Sequence, residues 1–518
     1  MNNKSNHKPA NLPELLEQRA RQFVNKTFLF SEADNRSWTY AELDAAVNRT
    51  ANLLSSQGVQ KGDVVSLLMP NSAEYIIAYF ACFKTGALAG PINSLLKPEE
   101  IAFVIGNSQA KVLLVHSQFL PAVSEIRNDL PKLKTIVEFD DVNIAAKDFS
   151  AENPPQIALE KSDEAIIIYT SGTTGKPKGC LLTHENLIAN AGQIAEWLKF
   201  DENDRLLTVM PLFHMNAVSV TTMTALYAGG STVVSPKFSA SRFWQIISDY
   251  GITSFGSVAT MLSMLLQSSP KSKVQSPKSD LKPKTLRFAM CGSAPVPAEV
   301  LRKFEETFDC LVVEGYGLSE STCRSTFNPP TKARKPGSCG KPIGNEMKVF
   351  DENDCEVAIG ELGEIVLRGE NVFKGYFQNA AATEKAFQNG WFHTGDIGYR
   401  DDEGFFYIVD RKSDMIIRGG ENIYPREIDE VLFAHPAIQS AAVIGVPDEL
   451  YGEEVAAFVV LKETQTASEQ DLIEFCRRYL ADFKCPKTIR FVADIPKGPT
   501  GKLLKRELSR IYAETESR

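Results

Sequence analysis

Apolar positions in the first third of the chain recur with two different periods. Leu43, Val47, Ala51 and Leu54 fall at helical spacing behind Thr39 and Glu42, which have capping-box form, and Gly58 closes the segment. Residues 64–69 form a short run, apolar except for Ser66, the mark of a strand covered on both faces. Residues 73–85 read as a second helix ended by Gly86, and 111–115 and 165–169 repeat the strand pattern. Strands alternating with helices predict a parallel sheet packed by helices on both faces. The Ser-, Pro- and Lys-rich stretch 268–284 reads as an exposed loop, with an approach to an anionic ligand as the competing reading.

Beyond about Gly360 the texture changes to short strands with turn signals, at 364–368 and 404–409. Strands at 441–446 and 455–461 and a helix at 469–480 then suggest a small α+β unit. The expected organisation is α/β: a large N-terminal domain of layered α/β subdomains over 1–410, a hinge at 411–413, and a small mobile C-terminal domain over 414–518. No internal repeat is evident.

Composition narrows the class. A chain of 518 residues exceeds what one core serves, so two or more domains are expected. Lys+Arg 56 against Asp+Glu 65 gives a net charge of -9, which repels phosphate backbones and argues against nucleic acid as a partner. Nine cysteines without paired metal spacing suit a reducing compartment and make a structural zinc improbable. The start is polar, the end carries no retention or peroxisomal address, and no apolar run is long enough to cross a bilayer. A cytoplasmic monomer or homodimer is expected, with peripheral membrane association left open.

The strongest chemical signal is Tyr169-Thr170-Ser171-Gly172-Thr173-Thr174-Gly175-Lys176-Pro177-Lys178-Gly179, directly after an apolar strand. Its glycines let backbone N–H groups approach a ligand, and its hydroxyls and lysines add donors, so polyphosphate is the natural guest. A P-loop needs Ser or Thr after Gly-Lys, and Pro177 stands there, which excludes that mechanism. The bland alternative is a surface loop.

With the downstream motifs added, the chain resembles the adenylate-forming superfamily of acyl-CoA synthetases, peptide-synthetase adenylation domains and luciferases. The resemblance spans nearly the whole chain with the motifs in the family's order. It implies an ATP-dependent, AMP-forming ligase that activates a carboxylic acid and passes the acyl group to a thiol, most simply coenzyme A. By that resemblance Thr170–Lys178 is the phosphate-binding signature. Ser293-Ala294-Pro295 and Glu314-Gly315-Tyr316-Gly317-Leu318-Ser319-Glu320 make the adenine and active-site segments. Tyr316 is implied to stack near adenine, Ser319 (usually Thr) to contact the α-phosphate, and Glu320 to hold Mg²⁺. Asp396 and Arg411 are implied ribose contacts. Lys502, in Pro496–Lys502, matches the catalytic lysine. Arg418, Gly419, Gly420 and Glu421 belong to a glycine strand implied to receive pantetheine, with a strand followed by a tight turn as the plain reading. The usual hinge residue, Asp or Lys, falls on Ser413.

The chemistry agrees. A carboxylate attacking an α-phosphate brings two anions together, so positioned cations are needed, not a covalent nucleophile. His214 beside aromatic residues is either a packed core residue or, by resemblance, part of the acyl side near the approaching thiol. His184 and His393 are read as structural. Candidate acyl-pocket residues by resemblance are Gly256, Ser257, Met261, Gly317, Leu318, Cys323 and Arg324. Ala259 replaces a common proline. Gly317 stands where acetate-specific relatives place a large aromatic, so the acid is expected to exceed acetate: fatty, aryl or carnitine-like. Arg324 either pairs with a second carboxylate or polar tail or points to solvent from a strand edge. Two further function classes compete: a stand-alone adenylation enzyme loading a carrier-protein thiol, and a non-catalytic nucleotide-binding protein, disfavoured because Lys502 and Glu320 are both present.

Overall fold

The computed structural model describes residues 9–170, 177–268, 284–293, 296–497 and 503–516. Its elements follow the apolar periods closely. Thr39 and Glu42 complete a reciprocal capping box on helix Tyr40–Ser56, whose Leu43, Val47, Ala51 and Leu54 are all buried. Strand Val64–Leu68 is buried at every position, as a central parallel strand must be. Helix Ala73–Lys84 and strands Val112–Val115 and Glu164–Thr170 match the remaining expectations within a residue or two.

The parallel-sheet expectation needs an amendment. In the nine-stranded sheet the strands Leu311–Tyr316, Phe288–Cys291, Ser254–Ser257, Arg205–Thr208, Ser231–Val234 and Thr27–Ser31 lie side by side and all parallel. Its two edges are closed by short antiparallel strands. The seven-stranded sheet is likewise parallel through its middle, but Glu164–Thr170 pairs antiparallel with Lys178–Thr183, which in turn pairs with Gly375–Tyr376. Only seven residues separate these consecutive strands, which forces the antiparallel direction, because a parallel pair needs a long crossover.

Residues 346–411 build an antiparallel sheet in which Trp391–Arg400 runs between Gly363–Arg368 and Phe406–Arg411. The large N-terminal α/β domain shares one extensive apolar core and a smaller satellite. The smaller C-terminal domain has apolar clusters of its own, drawn entirely from Ile416 onward. Helix Glu469–Arg477 stops three residues short of the expected end. No helix among the described residues is long and apolar enough to cross a membrane. Most of the 268–284 stretch, read as an exposed loop, lies outside the described residues.

Candidate active site

Four adjacent parallel strands of the nine-stranded sheet end on one side, and the chemistry-bearing loops leave from those ends. His214 and Asn216 follow Arg205–Thr208, Ser257 closes Ser254–Ser257, Gly292 and Ser293 follow Phe288–Cys291, and Tyr316 ends Leu311–Tyr316. The carboxyl ends of parallel strands are where open α/β sheets hold ligands. Ser293 sits at φ 70, a left-handed conformation that a residue with a side chain adopts only under constraint.

One carboxylate ties Tyr316 to Arg411. Asp396 is 3% exposed. It accepts a hydrogen bond from the Tyr316 hydroxyl at 2.6 Å and pairs with Arg411 Nε at 2.7 Å. Antiparallel register places Asp396 opposite Arg411, so the pair follows directly from strand pairing. Thr326 Oγ1 accepts from the Tyr316 backbone N–H at 3.2 Å. Glu314, two residues earlier, is buried and accepts from the Gly337 N–H at 3.1 Å. Burial pushes its carboxyl up to about 7. Gly315 is pressed against Phe327 and the Thr326 carbonyl, leaving no space for a Cβ.

Glu320 lies in the turn Ser319–Ser321 that follows. The Tyr376 hydroxyl donates to its Oε1 at 3.0 Å, and its carbonyl accepts from the Phe373 N–H at 2.7 Å. Lys178 Nζ lies 5.0 Å from the centre of the same Tyr376 ring. Thr170 and Lys178 face each other in register at the mouth of the loop between their strands. Tyr376 thus links Lys178 to the turn that carries Glu320. The sequence reading missed it, because Gly375–Tyr376 reaches this place only by pairing with the edge of the seven-stranded sheet. Ser171–Lys176, Ala294, Pro295 and Lys502 lie outside the described residues.

His214 is half-buried, its Nε2 is buried with no hydrogen-bond partner, and desolvation pushes its imidazole down to about 4, so it is neutral at physiological pH. Asn216 opens a π-helix, Asn216–Met223, and both its amide atoms are buried without partners. π-Helical turns recur at functional positions. A Cβ on Gly256 would come within 2.7 Å of Asn216 Oδ1, so the glycine makes room for the amide. The Ser257 hydroxyl donates to the Met290 carbonyl at 2.9 Å, which ties it to the neighbouring strand. Met261 is buried on helix Ala259–Ser268, and Cys323 is buried beside Arg324. A Cβ on Gly317 would overlap the Cys323 carbonyl, so no larger residue fits without moving the backbone. Leu318 is half-buried against the main core.

Arg324 corrects one of the two readings given to it. It is 1% exposed, so it does not point to solvent. His184 accepts from the Leu12 N–H at 3.3 Å, and His393 sits between Asp354 and Glu364, both in keeping with structural parts. Gly419 and Gly420 form the two-residue turn between strands Ile416–Arg418 and Glu421–Ile423, with φ 60 and 93. Two successive positive φ values are what a twisted hairpin requires, so the glycines occupy an exposed turn and not a strand. Arg418 leans on Tyr451, 4.0 Å from the ring centre, and pairs with Glu454 at 2.7 Å.

Comparison with known proteins agrees with this arrangement. The family model for AMP-binding enzymes matches residues 16–377, and that for the AMP-binding enzyme C-terminal domain matches 427–502. The chain is 35% identical over 508 residues to a sulfoacetate–CoA ligase of Cupriavidus necator, covering 96% of this chain and 97% of that protein. It is 36% identical over 510 residues to the long-chain-fatty-acid–CoA ligase FadD13 of Mycobacterium tuberculosis, covering 98% and 99%. The crystal structure of ATP-bound MatB from Rhodopseudomonas palustris superposes with a TM-score of 0.89 at 31% identity, over 97% of this chain and 99% of that one. A cradle of Tyr316, Asp396, Arg411 and Glu320, together with matches spanning both domains, places the chain in the acyl-CoA synthetase family of adenylate-forming, AMP-binding enzymes.

Proposed function

We propose that this acid–thiol ligase works in two half-reactions at the strand ends described above. In the first, a carboxylate oxygen attacks the α-phosphorus of ATP and pyrophosphate leaves, giving an acyl-adenylate. In the second, the sulfur of coenzyme A attacks the acyl carbonyl, AMP leaves, and the thiol proton passes to solvent. The observation that carries the reading is the Asp396 carboxylate, held by Tyr316 on one side and Arg411 on the other. An ionised carboxylate only accepts, through two oxygens with about four lone-pair sites, which suits the hydroxyls of a vicinal diol such as ribose.

The other roles extend from that anchor. Glu314, Gly315 and Tyr316 border adenine, Ser293–Pro295 closes the same side, and Ser319 meets the α-phosphate. The loop from Thr170 to Lys178 holds the departing pyrophosphate, and Lys502 supplies a cation from the C-terminal domain. Glu320 suits Mg²⁺: it is partly exposed, its Oε1 is oriented by Tyr376, and magnesium prefers one or two carboxylates plus substrate phosphates. When bound, Mg²⁺ neutralises charge on the phosphates. Residues 1–410 and 414–518 act as two bodies about 411–413, where Lys412 and Ser413 are exposed, with Ser413 standing as the hinge. The exposed turn Arg418–Glu421 presents bare backbone to pantetheine, and neutral His214 lines the acyl side. The acid is longer than acetate in its substituents.

Labelled pyrophosphate exchange into ATP, followed by thioester formation with free coenzyme A, tests this. Exchange with no thioester for any acid would indicate a carrier-protein acceptor; no exchange at all would remove the reading.

A further inference from the structure

Among the described residues Arg324 is the largest side chain with almost no contact with solvent, 1% exposed. A guanidinium keeps its charge at any physiological pH. Yet its Nε has no partner, and its Nη1 makes one long contact, 3.4 Å to the Cys323 carbonyl. No carboxylate pairs with it among the described residues. The Phe327 ring, 5.5 Å from Cζ, returns less than is lost by taking the cation out of water.

The main chain, by contrast, is firmly held. Asn190, fully buried, donates to the Arg324 carbonyl at 2.6 Å and accepts from its N–H at 3.4 Å, and Asn371 donates to the same carbonyl at 3.4 Å. The backbone is fixed, while among the described residues the charged head meets no counter-charge. That pattern suits a ligand group, since a purely structural arginine is expected to find its counter-charge within the protein.

The head lies over Gly292, where a Cβ would come within 2.7 Å of Nη2 and 2.8 Å of Cζ. One strand away, the unpartnered Asn216 amide lies over Gly256. Gly256 pairs with Met290 in parallel register, and Gly292 is two residues further along. Both glycines therefore share one face of the sheet, their Cα atoms about 8 Å apart from strand spacing and rise.

We propose that Arg324 and Asn216 form an oxyanion subsite at the inner end of the acyl pocket, and that the acid activated here carries a second anionic group, carboxylate or sulfonate, remote from the reacting carboxyl. The assignment rests on the ligase reading and names its substrate class. Arg324 presents donors in a fixed fork matched to such a group, and Asn216 adds an amide donor.

The test uses the full-length enzyme, Mg²⁺, ATP and coenzyme A, with AMP release measured for acids differing only at the far end: butyrate against succinate, hexanoate against adipate, propionate against sulfopropionate. At least one dianionic member is expected to exceed its partner by about tenfold or more in kcat/KM, the effect of one buried charge-assisted contact. Arg324→Met should erase that preference by raising KM for the dianionic acid, with KM for ATP unmoved, and Arg324→Lys should retain part of it. Melting temperature separates the alternatives. An unpaired cation kept for a ligand predicts no loss of stability in Arg324→Met, whereas a structural plug predicts a lower melting temperature and equal loss on both acids, which would overturn the assignment. Should the variant not fold, the wild type decides: succinate monomethyl ester must fall to the level of butyrate, and an ester as good as succinate overturns the subsite. AMP release with monoacids at equal or better efficiency sinks the subsite alone; no release with any acid sinks the ligase reading and the subsite with it.

Discussion

Asp396→Asn is the sharpest probe of the nucleotide cradle. In the wild type the carboxylate is 3% exposed, accepts from Tyr316 at 2.6 Å and meets Arg411 Nε at 2.7 Å. The amide is nearly isosteric but turns one acceptor into a donor facing two existing donors. On the proposed role it also removes the charge that would strengthen each ribose hydrogen bond. A hydrogen bond to a charged group contributes about 1.5–3 kcal/mol, against about 0.5–1.5 kcal/mol for a neutral one, so two ribose contacts weaken by about 2–3 kcal/mol together. At about 1.4 kcal/mol per decade that is roughly 30- to 150-fold in kcat/KM for ATP. Pyrophosphate exchange at saturating acid, with ATP varied, reads this directly. Tyr316→Phe removes a single donor from the same carboxylate and should cost about threefold to tenfold. The KM of the acid should hardly change in either variant. An Asp396→Asn enzyme within threefold of wild type in kcat/KM for ATP would refute the assignment of ribose to this carboxylate.

Three further outcomes are expected. Lys502→Ala should abolish acyl-adenylate formation while sparing thioester formation from a supplied acyl-adenylate; equal loss of both steps contradicts a lysine confined to the first. Gly420→Val places a β-branched residue at φ 93, so it should distort the turn and slow thioester formation while pyrophosphate exchange persists; slowing of exchange alone would detach this turn from the thiol. Glu314 gives a pH signature. Its carboxyl, raised to about 7 by burial, binds a proton in the folded protein where the unfolded chain has already lost it. Its contribution to stability is therefore full below about pH 4.5 and lost as pH rises toward 7, a loss of up to about 3 kcal/mol. Glu314→Gln removes the titration but keeps an acceptor for Gly337. The melting temperature of the variant should gain on wild type between pH 5 and 7.5, and a constant offset would show that Glu314 does not titrate there.

Much of this protein can be read locally. The capping box at Thr39 and Glu42, the apolar run at 64–68 and the Gly419-Gly420 turn follow from propensity and period, which act over a few residues and need no distant partner. The order of motifs likewise identified the family, because each motif is a contiguous segment that can be recognised without its distant partners. Reading failed where a residue's part depends on what crosses it. Arg324 could have faced solvent or the pocket, and only the packing of its turn against Asn190, Gly292 and Phe327 buries it. Tyr376 carried no local signal, since its place beside Glu320 and Lys178 comes from edge pairing between segments almost two hundred residues apart. The sequence by itself determined the elements, the family and the cations and carboxylates available to the reaction. Tertiary structure alone decided which of those charges meet a partner and which stay unpaired, because burial and long-range register set the cost of a charge and neither is a property of any short stretch of chain.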